Sequence, residues 1–466
     1  MFLLNQINAN YYKYQAEKAY RKKDWQTCIR QFSGALKHRS KLTARQADMF
    51  NAAKEKYQSK NLDKGKKIAV CGWDLSHNAA GRVLTLAELY QNCGQDISII
   101  GCIVSVNRKQ PKCLWEPMKL SSIPCEYITV KDVSDLIYKA YEFVSSHPFD
   151  VVHLSKPRLP NLIIGRLYQL IWNANIIMDI DDEELGFSKA NDSHLSINNI
   201  ETIRSNYWLI RSVHLYYTFD AITVSNTALQ LRYSGTVIPH VRDAKKFIPS
   251  KRLSSMMREK YGIPSSQKVV LFSGTPKPHK GLIETAHAIS EISGDNPLFL
   301  IIGDFIDQNF KEKLTSIKGV NFKFLPNQPY HLISNFVAMG DVCVILQDPD
   351  SLISEHQLPA KLIDALAMGL TVISTQTPAL NSLIDAGAVI AADKHQLPSV
   401  LMQALSEPSR AVFNRRYFLH NLSTQVFTPI LTGVLHNLLP QNHLICSNKH
   451  YDMITLTGSH LPQKGT

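Results

Sequence analysis

The chain has 466 residues, enough for two or three domains, each with its own core. An apolar share of 44% and a charged share of 19% are ordinary for a globular protein, and no run of eighteen uncharged apolar residues exists to form a transmembrane helix. The net charge of +12 points to nucleic acid only until it is located: residues 1–67 carry sixteen Lys or Arg against five Asp or Glu, and the rest carry thirty-five against thirty-four. The basic character therefore belongs to a head, and a nucleic-acid partner is not expected of the body. Met1–Leu4 have no basic region ahead of them, which argues against a secretory signal. The eight cysteines form no CxxC pair, so we expect reduced thiols in a cytoplasmic protein.

Residues 1–65 contain no proline and read as helical. In AEKAYRKKDWQTCIRQFSGAL (16–36), Trp25, Cys28, Ile29, Phe32, Ala35 and Leu36 recur at i, i+3, i+4 spacing. This resembles the helix-turn-helix of a tetratricopeptide repeat, with a further helix at 43–58. One repeat and a fraction is too short for a solenoid, so it should lean on the body or on a partner. Its basic face suits an acidic protein or an anionic membrane surface as well as plain solvation, which makes a peripheral membrane location one expectation.

Residues 66–245 read as a first domain. Strands are expected at KKIAVCG (66–72), DISIIG from 96, EYITV from 126, DVVHL from 150, NIIMDI from 175 and AITVS from 221, with helices between them. After a polar link at about 243–266 the alternation repeats in residues 246–440. There the strands are KVVLFSG (268–274), PLFLIIG (297–303), VNFKF (320–324), DVCVIL (341–346), TVIST (371–375) and AVIA (388–391). The pattern is α/β: two doubly wound parallel sheets facing a cleft. A tail at 441–466 lacks periodicity and is expected to be loosely ordered.

Two segments of the second domain carry chemistry. LPAKLIDALAMGLTVIST (358–375) reads as loop, helix and strand, with Pro359 in the first turn and Gly369 at the left-handed position past the helix end. Lys361 and Asp364 share one side of its opening turns, at the strand ends where open parallel sheets bind ligands. A cation, a carboxylate and free helix N–H groups together suit a nucleotide. In SGTPKPHKGLIETAHAI (273–289), Gly274 turns the chain at the strand end, Gly281 opens a helix, and Lys277 and Lys280 are the nearest cations. A departing diphosphate would be stabilised by such fixed cations.

Together GTPKPHKG and LPAKLIDALAMGLTVIST resemble the nucleotide half of retaining GT-B glycosyltransferases, family 4 in particular. DLSHNAAGR (74–82), AITVSNTALQ (221–230) and VIPHVRD (237–243) add weaker matches, so the resemblance covers roughly residues 67–435. It implies two Rossmann-like domains and transfer of a sugar, with retention, from a nucleotide-sugar to a glycan, lipid-linked saccharide or glycoprotein. It implies no bound metal and no cofactor. By position, Asp364 would hold the donor ribose hydroxyls, Lys280 the diphosphate, and Lys361 also the phosphate region, with Gly81 close to donor phosphates or acceptor. The chain departs from the pattern at Thr275, where the family has arginine after Gly274 and Lys277 would have to substitute. It departs again at Glu355, nine rather than eight positions before Asp364, with His356 at the family's spacing. Glu355 stays a candidate for the sugar.

His77 and His153, at expected strand-end loops of the first domain, are candidate catalytic contacts to acceptor or donor hydroxyls. Arg82 is a candidate phosphate neutraliser. The run MDIDDEEL (178–185) could bind Mg²⁺ or Mn²⁺, as in the other glycosyltransferase fold. The preferred reading makes Asp181 and Asp182 an acidic loop orienting the acceptor, with a solvated helix start as the plain alternative. A GT-B epimerase, a phosphorylase and a GT-B body without activity are the rival functions.

Overall fold

The computed structural model describes residues 2–38, 40–61, 66–105, 112–188, 199–292, 296–407 and 410–438. The expected tail at 441–466 lies outside the described residues. All the expected strands form, because their Val, Ile and Leu runs are bounded by turn residues and flanked by helices that cover both sheet faces. The first sheet comprises β1 (Lys67–Gly72), β2 (Asp96–Val104), β3 (Cys125–Val130), β4 (Val151–Ser155), β5 (Asn175–Ile180), β6 (Ala221–Val224) and β7 (Thr236–Val237). The second comprises β8 (Val269–Ser273), β9 (Leu298–Ile302), β10 (Asn321–Leu325), β11 (Val342–Ile345), β12 (Thr371–Ser374) and β13 (Ile390–Ala391). Their orders are β3-β2-β1-β4-β5-β6-β7 and β10-β9-β8-β11-β12-β13, parallel throughout. Strand order therefore reverses between β1 and β4 and between β8 and β11, and a ligand crevice is expected beyond the carboxyl ends of those strands.

The head is built onto the first sheet. Helices α1 (Phe2–Arg21), α2 (Trp25–Lys37) and α3 (Ala44–Asn61) bring Cys28, Ile29, Phe32 and Phe50 into one core with the helices Val133–Ser146 and Leu159–Trp172. Asp24 caps α2 by accepting from the Thr27 N–H. Polar groups finish the seam: Lys37 pairs with Glu142 at 2.6 Å, and the Gln58 amide donates to the Trp172 and Asn173 carbonyls. Those carbonyls end a helix and would otherwise lack partners. The expected lean on the body is thus an apolar interface.

The domain boundary at 440 needs correction. The chain crosses to the second sheet at Ile238–Asp243 and returns at Leu422–Thr424, where Arg242 and Ser423 form a parallel bridge. The returning helix Thr424–His436 then buries Phe427, Leu431, Val434 and Leu435 against α4 (Ala80–Asn92), Ile238 and Val241. The last described helix belongs to the first lobe. No helix among the described residues is long and apolar enough to cross a membrane, and the seven described cysteines are free.

Candidate donor and acceptor site

On the second lobe, the end of β8 is shaped by two glycines at positive φ. Gly281 has φ +69°, and a Cβ there would lie 2.4 Å from the Leu346 Cβ. Its absence lets the short turn Pro278–Lys280 and the helix Leu282–Ser290 sit against the end of β11. Gly274 has φ +123° at the strand end. This seats Lys280, half-buried, beside Lys361, which lies in the first turn of the helix Ala360–Ala367 with its ammonium 3.9 Å from the centroid of the Phe272 ring. Among the described residues neither lysine has an ion-pair partner. Burial, aided by Lys277, lowers the Lys280 pKa, and burial beside Lys280 pushes Lys361 down to about 7. Asp182 pulls the other way on Lys280 but forms no direct ion pair with it, and two neighbouring ammonium groups this buried are costly unless an anion joins them. Lys277 stands exposed at the rim.

Asp364 is buried one turn further along, and its Oδ1 accepts from Arg242 Nε at 2.6 Å. Burial raises its pKa against the lowering pull of Arg242. One tenth of the side chain stays exposed, and a carboxylate can accept more than the single bond from Arg242. Sequence reasoning passed over Arg242, although it lies in the quoted linker VIPHVRD. Glu355 is half exposed on the short helix Leu352–His356, 3.9 Å from His356 Nδ1, and no bond joins it to the lysine pair. His356 is buried, and its carbonyl accepts from Asn226 across the cleft at 2.8 Å.

Two candidates of the first lobe prove structural. Arg82 does not face phosphate: it is buried, with Nε and Nη2 donating to both oxygens of Asp179 at 2.9 and 2.7 Å, and further bonds to the Ile238 and Pro239 carbonyls. His153 does not reach the cleft either, because it lies mid-strand in β4 rather than at its end. Its ring sits between Tyr90 Oη at 3.0 Å and Thr223 Oγ1 at 2.9 Å, and burial pushes its pKa down to about 4, which keeps it neutral. His77 does lie in the loop after β1, 3.5 Å from Asp74 and edge-on to Trp73. Gly81 opens α4 where a Cβ would make only an ordinary 3.6 Å contact with Trp115, so the protein's own packing does not demand glycine there.

Beyond β4 and β5 the acidic run gathers around a lysine that was not foreseen. Lys156, at φ +77°, places its ammonium 2.8 Å from Asp181, 2.6 Å from Asp182 and 3.1 Å from Glu184. The three carboxylates could by spacing surround a metal ion, but a divalent ion would have to expel this ammonium. Burial, with Asp182 and Asp179 adding to it, raises Asp181 to about 7, while Lys156 and the Gln357 amide overcome burial to hold Asp182 at about 2. Gln357 comes from the other lobe and donates to Asp182 at 2.9 Å, immediately before the helix that carries Lys361.

Comparison with known proteins places the fold. Anabaena HepE, solved with UDP and glucose, superposes with a TM-score of 0.60 at 14% identity, over 80% of this chain and 100% of that one. A glycosyltransferase from Rickettsia africae gives 0.60 at 14% identity over 81% and 100%.

The fold is GT-B.

Within this GT-B body, residues 255–415 match the family described as Glycosyl transferases group 1, a span holding Gly274, Lys277, Lys280, Glu355, Lys361 and Asp364. Escherichia coli (strain K12) WcaI, named as a glycosyl transferase of colanic acid biosynthesis, is 27% identical over 120 residues, 26% of this chain and 29% of that protein. Bacillus subtilis (strain 168) TuaC, named for teichuronic acid biosynthesis, is 23% identical over 151 residues, 32% of this chain and 36% of that protein. The match spans about a third of the length of these relatives.

Proposed function

We propose that the protein is a glycosyltransferase that moves a sugar from a nucleoside-diphosphate sugar to a glycan or lipid-linked saccharide, with retention of configuration. The observation that carries this reading is the pair Lys280 and Lys361, two basic groups with no direct ion-pair partner among the described residues, at the β8/β11 reversal of a GT-B fold. Asp364, steadied by Arg242, is suited to the two hydroxyls of a ribose, since a carboxylate can accept from both. HepE is described with UDP and with UDP-glucose, which favours a donor of this class.

As the sugar–phosphate bond breaks, negative charge gathers on the diphosphate, and the lysine pair stabilises it most at that moment. The acceptor hydroxyl attacks the face the diphosphate leaves, and a phosphate oxygen takes its proton, so no side-chain nucleophile is needed. Gln357 on Asp182 and Asn226 on the His356 carbonyl hold the lobes together around the reaction and help to exclude water. With lysines supplying positive charge, the transfer proceeds without a metal. The basic, tetratricopeptide-like head fits a protein resting on an anionic cytoplasmic membrane face.

The test is incubation with UDP-, GDP- and ADP-sugars, following nucleoside diphosphate release with and without acceptor. Lys280→Ala and Asp364→Ala should each abolish transfer while the protein stays folded. Full activity in both variants would refute the site, release without any acceptor dependence would favour a hydrolase, and no release with any donor would favour an inactive body.

A further inference from the structure

The first lobe holds a second group of cations that the donor does not use. It lies beyond β1 and β4, around Trp73 and Asp74. The Arg204 guanidinium contacts Asp74 Oδ2, with Lys112 Nζ at 3.7 Å and His77 Nε2 at 3.5 Å from the same oxygen. Arg204 and Arg158 both stand against the Trp73 ring, 5.4 and 5.1 Å from its centroid, and Arg158 also contacts Glu184. Exposure is divided by sign. The side chains of Arg204, Lys112 and His77 are 39%, 38% and 37% exposed, whereas those of Asp74 and Glu184 are 0% and 2% exposed. The carboxylates are floor, and the groups that face solvent are the Arg204 guanidinium, the Lys112 ammonium and the His77 imidazole. Around Trp73, the three permanent cations Arg204, Lys112 and Arg158 meet two carboxylates, Asp74 and Glu184, while Lys156 is held mainly by Asp181 and Asp182, so the exposed ring itself carries one cation in excess. Two buried donors in the same group, Trp73 Nε1 and Arg158 Nε, have no hydrogen-bond acceptor among the described residues. Unsatisfied donors beside surplus cations mark a place that lacks an anion.

We propose that this ring is an anion subsite for the acceptor, which carries a carboxylate or phosphate group near the hydroxyl that receives the sugar. This rests on the glycosyltransferase reading above and narrows it to a substrate class. Position supports the assignment: Arg158, Glu184, Lys156, Asp182 and Gln357 form a continuous series of contacts from the ring to the start of the Lys361 helix. An anion seated on the ring lies on the acceptor lobe beside the donor, whereas the donor diphosphate has its own cations on the other lobe. Arginine on an aromatic face with a free edge suits paired oxygens, which uronates and phosphates both present.

The test is calorimetric titration of the full chain, saturated with whichever of UDP, GDP or ADP binds most tightly. The three probes are methyl β-glucuronide, methyl β-glucoside 6-phosphate and neutral methyl β-glucoside. At least one anionic probe should bind roughly tenfold or more tightly than the neutral one, and which of them does so separates uronate from phosphate. Arg204→Gln with Lys112→Gln should remove the preference while nucleotide affinity persists. Lys112→Gln alone, at an exposed side chain, should lower it about threefold. Equal or undetectable binding of all three probes overturns the subsite, and so does a preference that survives the double variant. Failure to bind any nucleoside diphosphate would instead strike the donor reading, and the same titration of the free protein would still decide the subsite.

Discussion

Lys361 links donor binding to pH in a way that can be worked out in advance. Burial beside Lys280 pushes its pKa down to about 7, from an ordinary 10.5. The Phe272 ring beneath it favours the ammonium, and burial outweighs that favour. A bound diphosphate restores the charge, so binding above pH 7 takes up a proton. If the complex returns the group to its ordinary value, linkage makes the association constant fall roughly fiftyfold between pH 7 and 9, approaching tenfold per unit. The terminal phosphate of UDP, with a second pKa of about 6, is largely ionised from pH 7 upward and adds little to the slope. Calorimetry with UDP in buffers of different ionisation heat measures both the affinity and the proton uptake. Lys361→Met should bind more weakly at pH 7, with the slope removed. In the empty protein the sign reverses: the unfolded chain binds the extra proton between pH 7 and 10.5, so this group makes stability rise with pH across that window. The methionine variant should accordingly be more stable at pH 7 when empty, by on the order of 1–3 kcal/mol after discounting for partial exposure. A wild-type affinity that is flat from pH 7 to 9, or a methionine variant with unchanged affinity and slope, would refute the reasoning.

Three further outcomes are expected. Arg82→Met leaves Asp179 buried without its cation and should cost about 3–5 kcal/mol in denaturant unfolding, while the folded fraction keeps its UDP affinity; a specific loss of UDP binding at wild-type stability would return Arg82 to the phosphate site. Gly281→Ala combines a strained φ with a Cβ against Leu346, and should destabilise by about 2–4 kcal/mol or weaken UDP binding as Lys280 is displaced; a neutral result in both assays would show that the turn tolerates side chains. Removal of residues 1–61 uncovers the helices Val133–Ser146 and Leu159–Trp172, so the shortened chain should melt lower and aggregate; an unchanged melting temperature would make the head a mere appendage.

Strands and their order of appearance were readable because parallel strands buried on both faces are unbroken apolar runs, and Lys280 and Lys361 were readable because glycine and proline mark the turns that seat them. What stayed hidden were the partners. Arg82 opens a helix in sequence and looks exposed, yet its carboxylate lies 97 residues away on a central strand. His153 looked like a strand-end residue because DVVHL begins one residue before β4, and a shift of that size decides whether a side chain reaches the cleft. Lys156 and Arg242 are single basic residues in connecting segments, and only the fold reveals that each meets a carboxylate from a distant stretch. The head read as a separate unit because its charge differs from the body, although charge describes its outer surface and its inner face is as apolar as any core helix.

The return of the helix Thr424–His436 to the first lobe bears on how the chain is made. Translation delivers α4 and the strands around it early, but the residues that cover their apolar side are among the last described ones to leave the ribosome. Through most of synthesis the first lobe must wait with Leu84, Leu89 and Ile238 uncovered, while the second lobe, contiguous in sequence, can close first. A stalled or prematurely terminated chain would therefore display a sticky first lobe beside a finished second one, a shape that quality-control machinery can recognise.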